Sequence, residues 1–349
     1  MPAADASHGA PPAASSAASS GAPDVPFPVD VPYRMRADLT RLDGSPFLEG
    51  PDAERSRIAK LDALRFRPGR VRALDPGRSP AAIAADVAAT LPTLARLRPD
   101  VVRPAGASEE GAVEDPAGQR AWAFPRLDDE ALGVVAGAPW PARLADALAL
   151  SLPEDLVWMH DDGEGGRAAL LHVCFPSHWS PDERGGATLA ELHGPVADGE
   201  RLRAASRALM RAIAEKGPFE RFVWSLNPTA ALDRHPRAGG LAGRPPGPSA
   251  VDPEAVDREA VDPVAASWFR VERQTTLPFP DARVALFLIR VLVAPLDEVL
   301  AAWPGRAARL AASIRSMSPE VAVYKGVADG GPGLLAALDA RARGDGGAR

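Results

Sequence analysis

The chain has 349 residues, 46% of them apolar, and a formal net charge of −6. That length holds one large domain with insertions or two modest ones, with enough apolar material for a substantial core. Acids and bases are interspersed, which argues against a nucleic-acid or anionic-membrane surface as the main partner. Among the 40 basic residues only Lys60, Lys216 and Lys325 are lysines, so arginine is the default cation and single arginines carry little functional weight. Cys174 is the sole cysteine, which excludes an intrachain disulfide, an iron–sulfur cluster or a Cys-based zinc site built from this chain's own thiols. No uncharged apolar run approaches the ~20 residues that span a bilayer. The N-terminus lacks the basic start and apolar stretch of a secretory signal, so a cytoplasmic location is the simplest expectation.

Residues 1–25, rich in Ala, Ser, Gly and Pro, are expected to form a disordered tail. One α+β domain is expected over 26–335, with a C-terminal tail over 336–349. An extended, packed arm over 27–48 precedes a helix over 52–64, with Asp52 as N-cap and Ile58, Leu61 and Leu64 on one face. Ser79-Pro80 opens a helix carrying Ile83, Val87, Leu91 and Leu94, which Pro92 is expected to kink or end. Pro141 starts another, with Leu144 and Leu148. Residues 156–160 and 168–175 read as a hairpin joined by Asp161-Asp162-Gly163-Glu164-Gly165-Gly166.

A helix over 199–216 and a strand over 221–226 follow. Residues 228–265 are rich in Pro, Gly and Asp and read as a mobile insertion. Strands over 268–276 and 283–293 are joined by a turn containing Pro278 and Pro280, and helices over 296–302, 307–316 and near the C-terminus close the chain. Five strands in hairpins, with helices between the second and third, imply an antiparallel sheet covered on one face, with a mainly helical N-terminal region around it. No Gly-x-Gly-x-x-Gly or Gly-x-x-x-x-Gly-Lys motif is present, which disfavours a dinucleotide or nucleoside-triphosphate enzyme.

Of six histidines, His8 lies in the tail and His235 in the insertion, and both read as incidental. His160 reads as a solvated turn residue and His172 as a hydrogen-bonded core histidine. His178 and His193 flank a Gly-rich turn between Phe175 and Val196. His193 ends the run Thr188-Leu189-Ala190-Glu191-Leu192 and is followed by Gly194-Pro195-Val196. Held there, its ring can cap the helix, where the macrodipole favours a cation, or reach into a cavity as an axial metal ligand. His178 and His193 alone do not make a zinc site, and Ser177 beside His178 lacks a nucleophile elbow.

Several separated stretches together resemble the heme-dependent oxidative N-demethylase family, the heme subunits of dimethylamine-type monooxygenases. They are Leu152-Pro153-Glu154-Asp155-Leu156, Cys174-Phe175-Pro176-Ser177 with Trp179, Gly185 and then His193-Gly194-Pro195-Val196, Trp224-Ser225-Leu226-Asn227, Arg270-Val271-Glu272-Arg273-Gln274-Thr275, and Tyr324-Lys325-Gly326. Their order agrees with the family over about residues 26–330.

The resemblance implies a PAS-like antiparallel sheet with inserted helices, and heme b held noncovalently by one histidine, matched best by His193 in the His-x-Pro-Val pattern. It implies oxidative removal of a methyl group from a small secondary amine as formaldehyde, with O2 as co-substrate. Electrons would come from separate flavin and iron–sulfur reductase components, within a homo- or hetero-oligomer. Glu272 and Arg273 become candidate catalytic residues, a carboxylate for an ammonium and a guanidinium for a propionate, or else an exposed ion pair on a strand. His193, Pro195, Val196, Phe175, Trp224 and Asn227 become candidate cofactor contacts. Trp224 and Asn227 serve equally as a core tryptophan and a strand-end turn residue.

After Gln274-Thr275 the family pattern runs Leu-Arg-Arg-Leu-Pro, where this chain has Thr276-Leu277-Pro278-Phe279-Pro280. His178 stands where arginine is the more frequent residue. A PAS-like heme sensor without turnover and a heme-free structural relative are the rival classes.

Overall fold

The computed structural model describes residues 25–34, 39–48, 50, 52–106, 109–114, 120–193, 200–237, 262–328 and 331–346. Residues 1–24 of the expected tail, 238–261 of the expected insertion, and both Pro195 and Val196 lie outside the described residues.

An arm carrying β1 (Thr40–Arg41) leads into α1 (Ala53–Phe66), α2 (Pro68–Val71), β2 (Arg72–Leu74) and α3 (Pro80–Leu97). Next come β3 (Arg103–Ala105), β4 (Val113–Glu114), β5 (Ala121–Ala123), α4 (Asp129–Ala136) and α5 (Arg143–Ser151). The hairpin of β6 (Asp155–His160) and β7 (Arg167–His172) is followed by α6 (Leu189–Leu192), α7 (Glu200–Glu215) and β8 (Phe219–Asn227). The long hairpin of β9 (Trp268–Phe279) and β10 (Val284–Pro295) precedes α8 (Leu296–Ala301), α9 (Arg306–Arg315), α10 (Pro319–Tyr324) and α11 (Gly331–Gly346). α11 thus occupies most of the stretch expected as a C-terminal tail.

Local chemistry accounts for many of these boundaries. Ser79 Oγ accepts the Ala82 N–H and Pro80 sits at the first turn of α3, whose Ile83, Val87, Leu91 and Leu94 form a stripe at most 1% exposed. Of the two outcomes expected at Pro92, a kink or an end, the helix does not end there: Pro92 removes one backbone bond, but burial of Leu91 and Leu94 on either side holds the turn. At α1 the expected cap also fails. Asp52 makes no cap bond and instead accepts from Arg290 Nη2 at 2.6 Å, while Ile58 is 55% exposed and Lys60 is buried in its place.

The β6–β7 turn is built on Asp162, whose Oδ1 accepts the N–H groups of Glu164 and Gly166 at 2.8 and 3.0 Å. Gly166 has φ +70° and a side chain there would collide with Met210 of α7, so the turn is also a packing point.

The strands form a seven-stranded sheet in the order β1-β8-β9-β10-β6-β7-β2 with every neighbour antiparallel. A separate three-stranded sheet, β3-β5-β4, is anchored by buried Trp122, and its two- and three-residue strands were too short to read from periodicity. The main sheet is covered on both faces rather than one. Leu156, Trp158, Leu170, Leu286 and Leu288 pack with Leu64, Val87 and Leu148 of α1, α3 and α5. Val157, Met159, Leu171 and Ala285 face the other way, onto Leu189 of α6 and Met210 and Ile213 of α7. A third cluster joins Phe269, Val271 and Trp224 to α8, α9 and α11.

β9 runs on to Phe279, past the expected turn. Pro278 lies beyond the last β8–β9 pair, Phe219 with Thr276, so its missing N–H falls where one side of β9 is an edge. Leu277, standing at one of the two positions where the resembled pattern carries arginine, is buried in the main core together with Phe279.

Candidate functional site

His193 is placed by α6, a single turn closed by a capping box. Thr188 Oγ1 accepts the Glu191 N–H at 3.2 Å, and Glu191 Oε2 accepts the Thr188 N–H at 2.7 Å. His193 is the C-cap, and its Nδ1 lies 2.7 Å from Leu189 O. A carbonyl only accepts, so Nδ1 carries the proton and Nε2 keeps the lone pair. Burial, then the nearby Arg221 charge, pulls the His193 pKa down to about 4, so the ring is neutral at neutral pH. Capping and ligation therefore use different nitrogens and do not compete. The ring caps α6 through Nδ1, as a neutral base rather than the expected cation.

Nε2 faces Arg221 Nη2 at 3.3 Å, the start of a polar row along β8 and β9. Arg221 Nε donates to Gln274 Oε1 at 2.7 Å, and Gln274 Nε2 donates to Glu272 Oε2 at 2.8 Å. Ser177 Oγ donates to Glu272 Oε1. Arg270, 1% exposed, donates through Nε to Ser177 Oγ at 2.9 Å and through Nη1 and Nη2 to Leu232 O and Phe175 O at 2.8 and 2.7 Å.

The row exists because strand side chains alternate. The pairs Arg221–Gln274, Val223–Glu272, Ser225–Arg270 and Asn227–Trp268 share one face. On that face Arg221, Val223, Ser225, Glu272, Gln274, Ile289 and Val293 are half-buried while Arg270, Val291 and Asn227 are buried, so the sheet is open there only in part. Half-buried Leu192, Trp179, Phe287 and Ile289 pack against the α6–α7 cluster that contains Leu189, on the same side of the sheet.

Arg273 is on the other face. It donates to Glu220 Oε2 at 3.0 Å and to Ser45 O at 2.9 Å, tying the N-terminal arm to the sheet. The structure therefore does not bring Arg273 into a pocket with Glu272. Trp224 shares the Arg273 face, stacks on Phe269 at 5.8 Å and meets Tyr33 edge-on at 6.3 Å, as a core tryptophan does. Phe175 is 3% exposed in the main core, with the Lys60 ammonium 5.8 Å from its ring centre, and reaches the polar row only through its carbonyl. Asn227 shares the Glu272 face at the end of β8.

His172 is a core histidine as expected, 0% exposed with Nε2 3.2 Å from Asp146 Oδ1. His160 is half-buried and stands 3.6 Å from Asp86, rather than fully solvated. His235 is 4% exposed with Nε2 3.1 Å from Asp182 Oδ1, so it belongs to the packed body and not to a mobile insertion.

Arg221, Gln274, Ser177 and Arg270 were missed as site residues. One signal was readable: Arg270, Glu272 and Gln274 alternate with other residues at period two, which puts three polar side chains on one face of a strand. Lys325 was also missed. Its ammonium is 3% exposed, donates to Trp224 O at 2.8 Å and lies near the rings of Tyr33, Trp224 and Tyr324. Burial pulls its pKa down to about 8, against the pull of Glu272.

Among the described residues no three His, Cys, Asp or Glu side chains gather as a metal site. What is present is one neutral imidazole whose Nε2 keeps its lone pair, with the Arg221 guanidinium beside it. That donor suits a group needing a single axial nitrogen and carrying anionic groups that a guanidinium can pair, such as heme. A family model described as haem-dependent oxidative N-demethylase, alpha subunit-like, matches residues 127–335, more than half of the chain. No curated protein matches the chain.

Proposed function

The chain belongs to the haem-dependent oxidative N-demethylase, alpha subunit-like, family, and from that premise we propose that it is the heme-carrying subunit that removes a methyl group from a small secondary amine as formaldehyde. The family description is of one subunit in a multi-subunit oxidative enzyme. The observation that carries the reading is the His193 imidazole, anchored through Nδ1 on Leu189 with Nε2 held as a base beside a half-open sheet face. The antiparallel sheet, with α6 and α7 inserted between β7 and β8, supports reading the fold as PAS-like.

His193 would hold a noncovalent heme b through Nε2, with Arg221 turning aside from that atom. Bound there, heme supplies the activation of O2. For each turnover one O2, two electrons and two protons convert the N-methyl amine to the demethylated amine, formaldehyde and water. The electrons come from a separate flavin and iron–sulfur reductase, since this chain has one cysteine and no dinucleotide fingerprint.

The chain's own residues bind and orient. Glu272 offers a carboxylate to the substrate ammonium, held in place by Ser177 on one oxygen and Gln274 on the other. Arg221 ties that carboxylate, through Gln274, to the position of His193. Leu192, Phe287 and Ile289, on the side of the sheet that carries α6, are the apolar side chains that would exclude water there. No helix among the described residues is long and apolar enough to cross a membrane, and a cytoplasmic setting is the one we propose.

Hemin titration of the purified chain tests the binding. A Soret band is expected that shifts or weakens in His193→Ala, and a band indifferent to that change would sink the ligand assignment. Supplying reductant, O2 and dimethylamine then tests the chemistry through formaldehyde release. Stoichiometric O2 binding without formaldehyde would make the chain a heme sensor instead.

A further inference from the structure

The polar row continues past Glu272. Ser177, which donates to Glu272, is followed by His178, an exposed residue held in left-handed backbone at φ 64°. That conformation, uncommon outside glycine, is pinned from the facing segment. Arg234 donates its N–H to Pro176 O at 3.0 Å, and His178 donates its own to Arg234 O at 3.0 Å. The His178 ring consequently stands beside the Asn227 amide and the Arg234 guanidinium.

Two groups there are short of partners. Asn227 is 3% exposed, and neither its Oδ1 nor its Nδ2 meets a partner at full hydrogen-bond geometry among the described residues; the His178 ring interacts with the amide from one side. Buried amides are nearly always paired, so this one points to a missing partner. Arg234 makes one side-chain contact, to Thr229 Oγ1 at 3.3 Å, and no carboxylate answers its charge among the described residues. Burial alone pulls its pKa down, as expected for a cation without a counter-ion. Arg270, the neighbouring cation, is committed to Ser177, Leu232 and Phe175.

We propose that His178, Asn227 and Arg234 form a carboxylate-binding site, and that the amine taken at Glu272 is zwitterionic: a small N-methylated amino acid. The inference rests on the reading of Glu272 as the ammonium partner. The charges then complement each other along one sheet face, acid for the ammonium and guanidinium with amide for the carboxylate. A planar guanidinium and an amide N–H, both acting on the His178 ring, are groups that suit a planar carboxylate. His178 adjoins Ser177, which bonds Glu272 directly, and Asn227 lies on the Glu272 face of the sheet, so the acid and the carboxylate site share one side of the fold.

Calorimetric binding of N-methylglycine, dimethylamine and acetate to the full chain, with and without hemin, tests this. N-methylglycine is expected to bind at least about tenfold more tightly than dimethylamine, the range of one charge-assisted pair. Arg234→Met is expected to abolish that preference while leaving dimethylamine binding unchanged. Asn227→Asp, which keeps the shape and adds a repelling charge, is expected to do the same. Equal affinity of the two amines for the wild-type chain overturns the proposal, as does equal weakening of both in Arg234→Met. Loss of hemin affinity in Arg234→Met, with amine preference intact, also overturns it by giving the site to the cofactor's own carboxylates. Arg234-dependent binding of acetate with no amine binding would retain the carboxylate site and overturn the Glu272 reading instead.

Discussion

Glu272 and Arg273 are adjacent on β9 and project to opposite faces of the seven-stranded sheet, Glu272 into the row that ends at His193 and Arg273 onto Glu220 and the arm at Ser45. Two residues that looked like one functional pair are separated by the sheet itself.

Arg273→Ala is therefore a stability variant. It leaves the Ser45 carbonyl and Glu220 without their partner and is expected to cost about 2–4 kcal/mol, read as a lower urea midpoint at unchanged slope. Hemin affinity of the folded fraction is expected to stay at the wild-type value. Glu272→Gln should behave in reverse, moving stability by less than about 1 kcal/mol while weakening amine binding about tenfold or more. The opposite pattern would place the site on the other face.

The neutral state of His193 makes the heme-free chain acid-sensitive. Its folded pKa of about 4 lies below the ordinary value of 6.5, so between those pH values the unfolded chain binds a proton that the folded chain refuses. The contribution is fully present above 6.5 and is lost as pH falls toward 4. Partial exposure limits it to between about 1 and 3 kcal/mol. Urea midpoints measured from pH 7 to pH 4 should fall less steeply in His193→Gln than in the wild type; parallel slopes would contradict the assigned protonation state.

Lys60 is the cation of a buried acid cluster. Its ammonium is 0% exposed, lies 3.5 Å from Asp155 Oδ1 and donates to the Ala149, Leu152 and Glu154 carbonyls. Asp155 in turn accepts the N–H groups of Cys174 and Phe175, and burial pushes its pKa up. Lys60→Met strands that carboxylate and is expected to destabilise by about 3–5 kcal/mol. Adding Asp155→Asn should recover part of the loss, and a double-mutant cycle by denaturant unfolding measures how much.

Gly326 and Gly305 both have positive φ, at +68° and +84°, but only the first is crowded. A side chain at Gly326 would collide with the Leu226 carbonyl, where the Tyr324-Lys325-Gly326 stretch meets β8, whereas Gly305 has nothing within 4 Å. Gly305→Ala is expected to cost about 1 kcal/mol from backbone strain alone, and Gly326→Ala at least about 2 kcal/mol. Thermal unfolding of the two variants separates them.

Local rules made much of the chain legible in its sequence. The Gly-rich turn after His160 and the apolar runs around it specify a hairpin, and Ser79-Pro80 with its stripe of Ile83, Val87, Leu91 and Leu94 specifies a helix, because turn chemistry and side-chain periodicity act over a few residues. The position of His193 at a helix end is of the same kind. Asp52 shows where such rules stop: a competent cap residue was drawn to Arg290, 238 positions away. Pro278 shows it again, since a proline interrupts a strand only where its missing N–H would have faced a paired neighbour, and β8 ends its pairing at Thr276.

The site itself was decided by tertiary structure. His193 meets Arg221 across 28 positions and Ser177 meets Glu272 across 95, contacts set by strand order and register rather than by any local pattern. The sequence by itself determined which residues alternate along β9, and therefore that Glu272 and Arg273 must part. Only the folded sheet decided which face was left half-open and which was sealed by the arm, because that depends on what each face has to pack against.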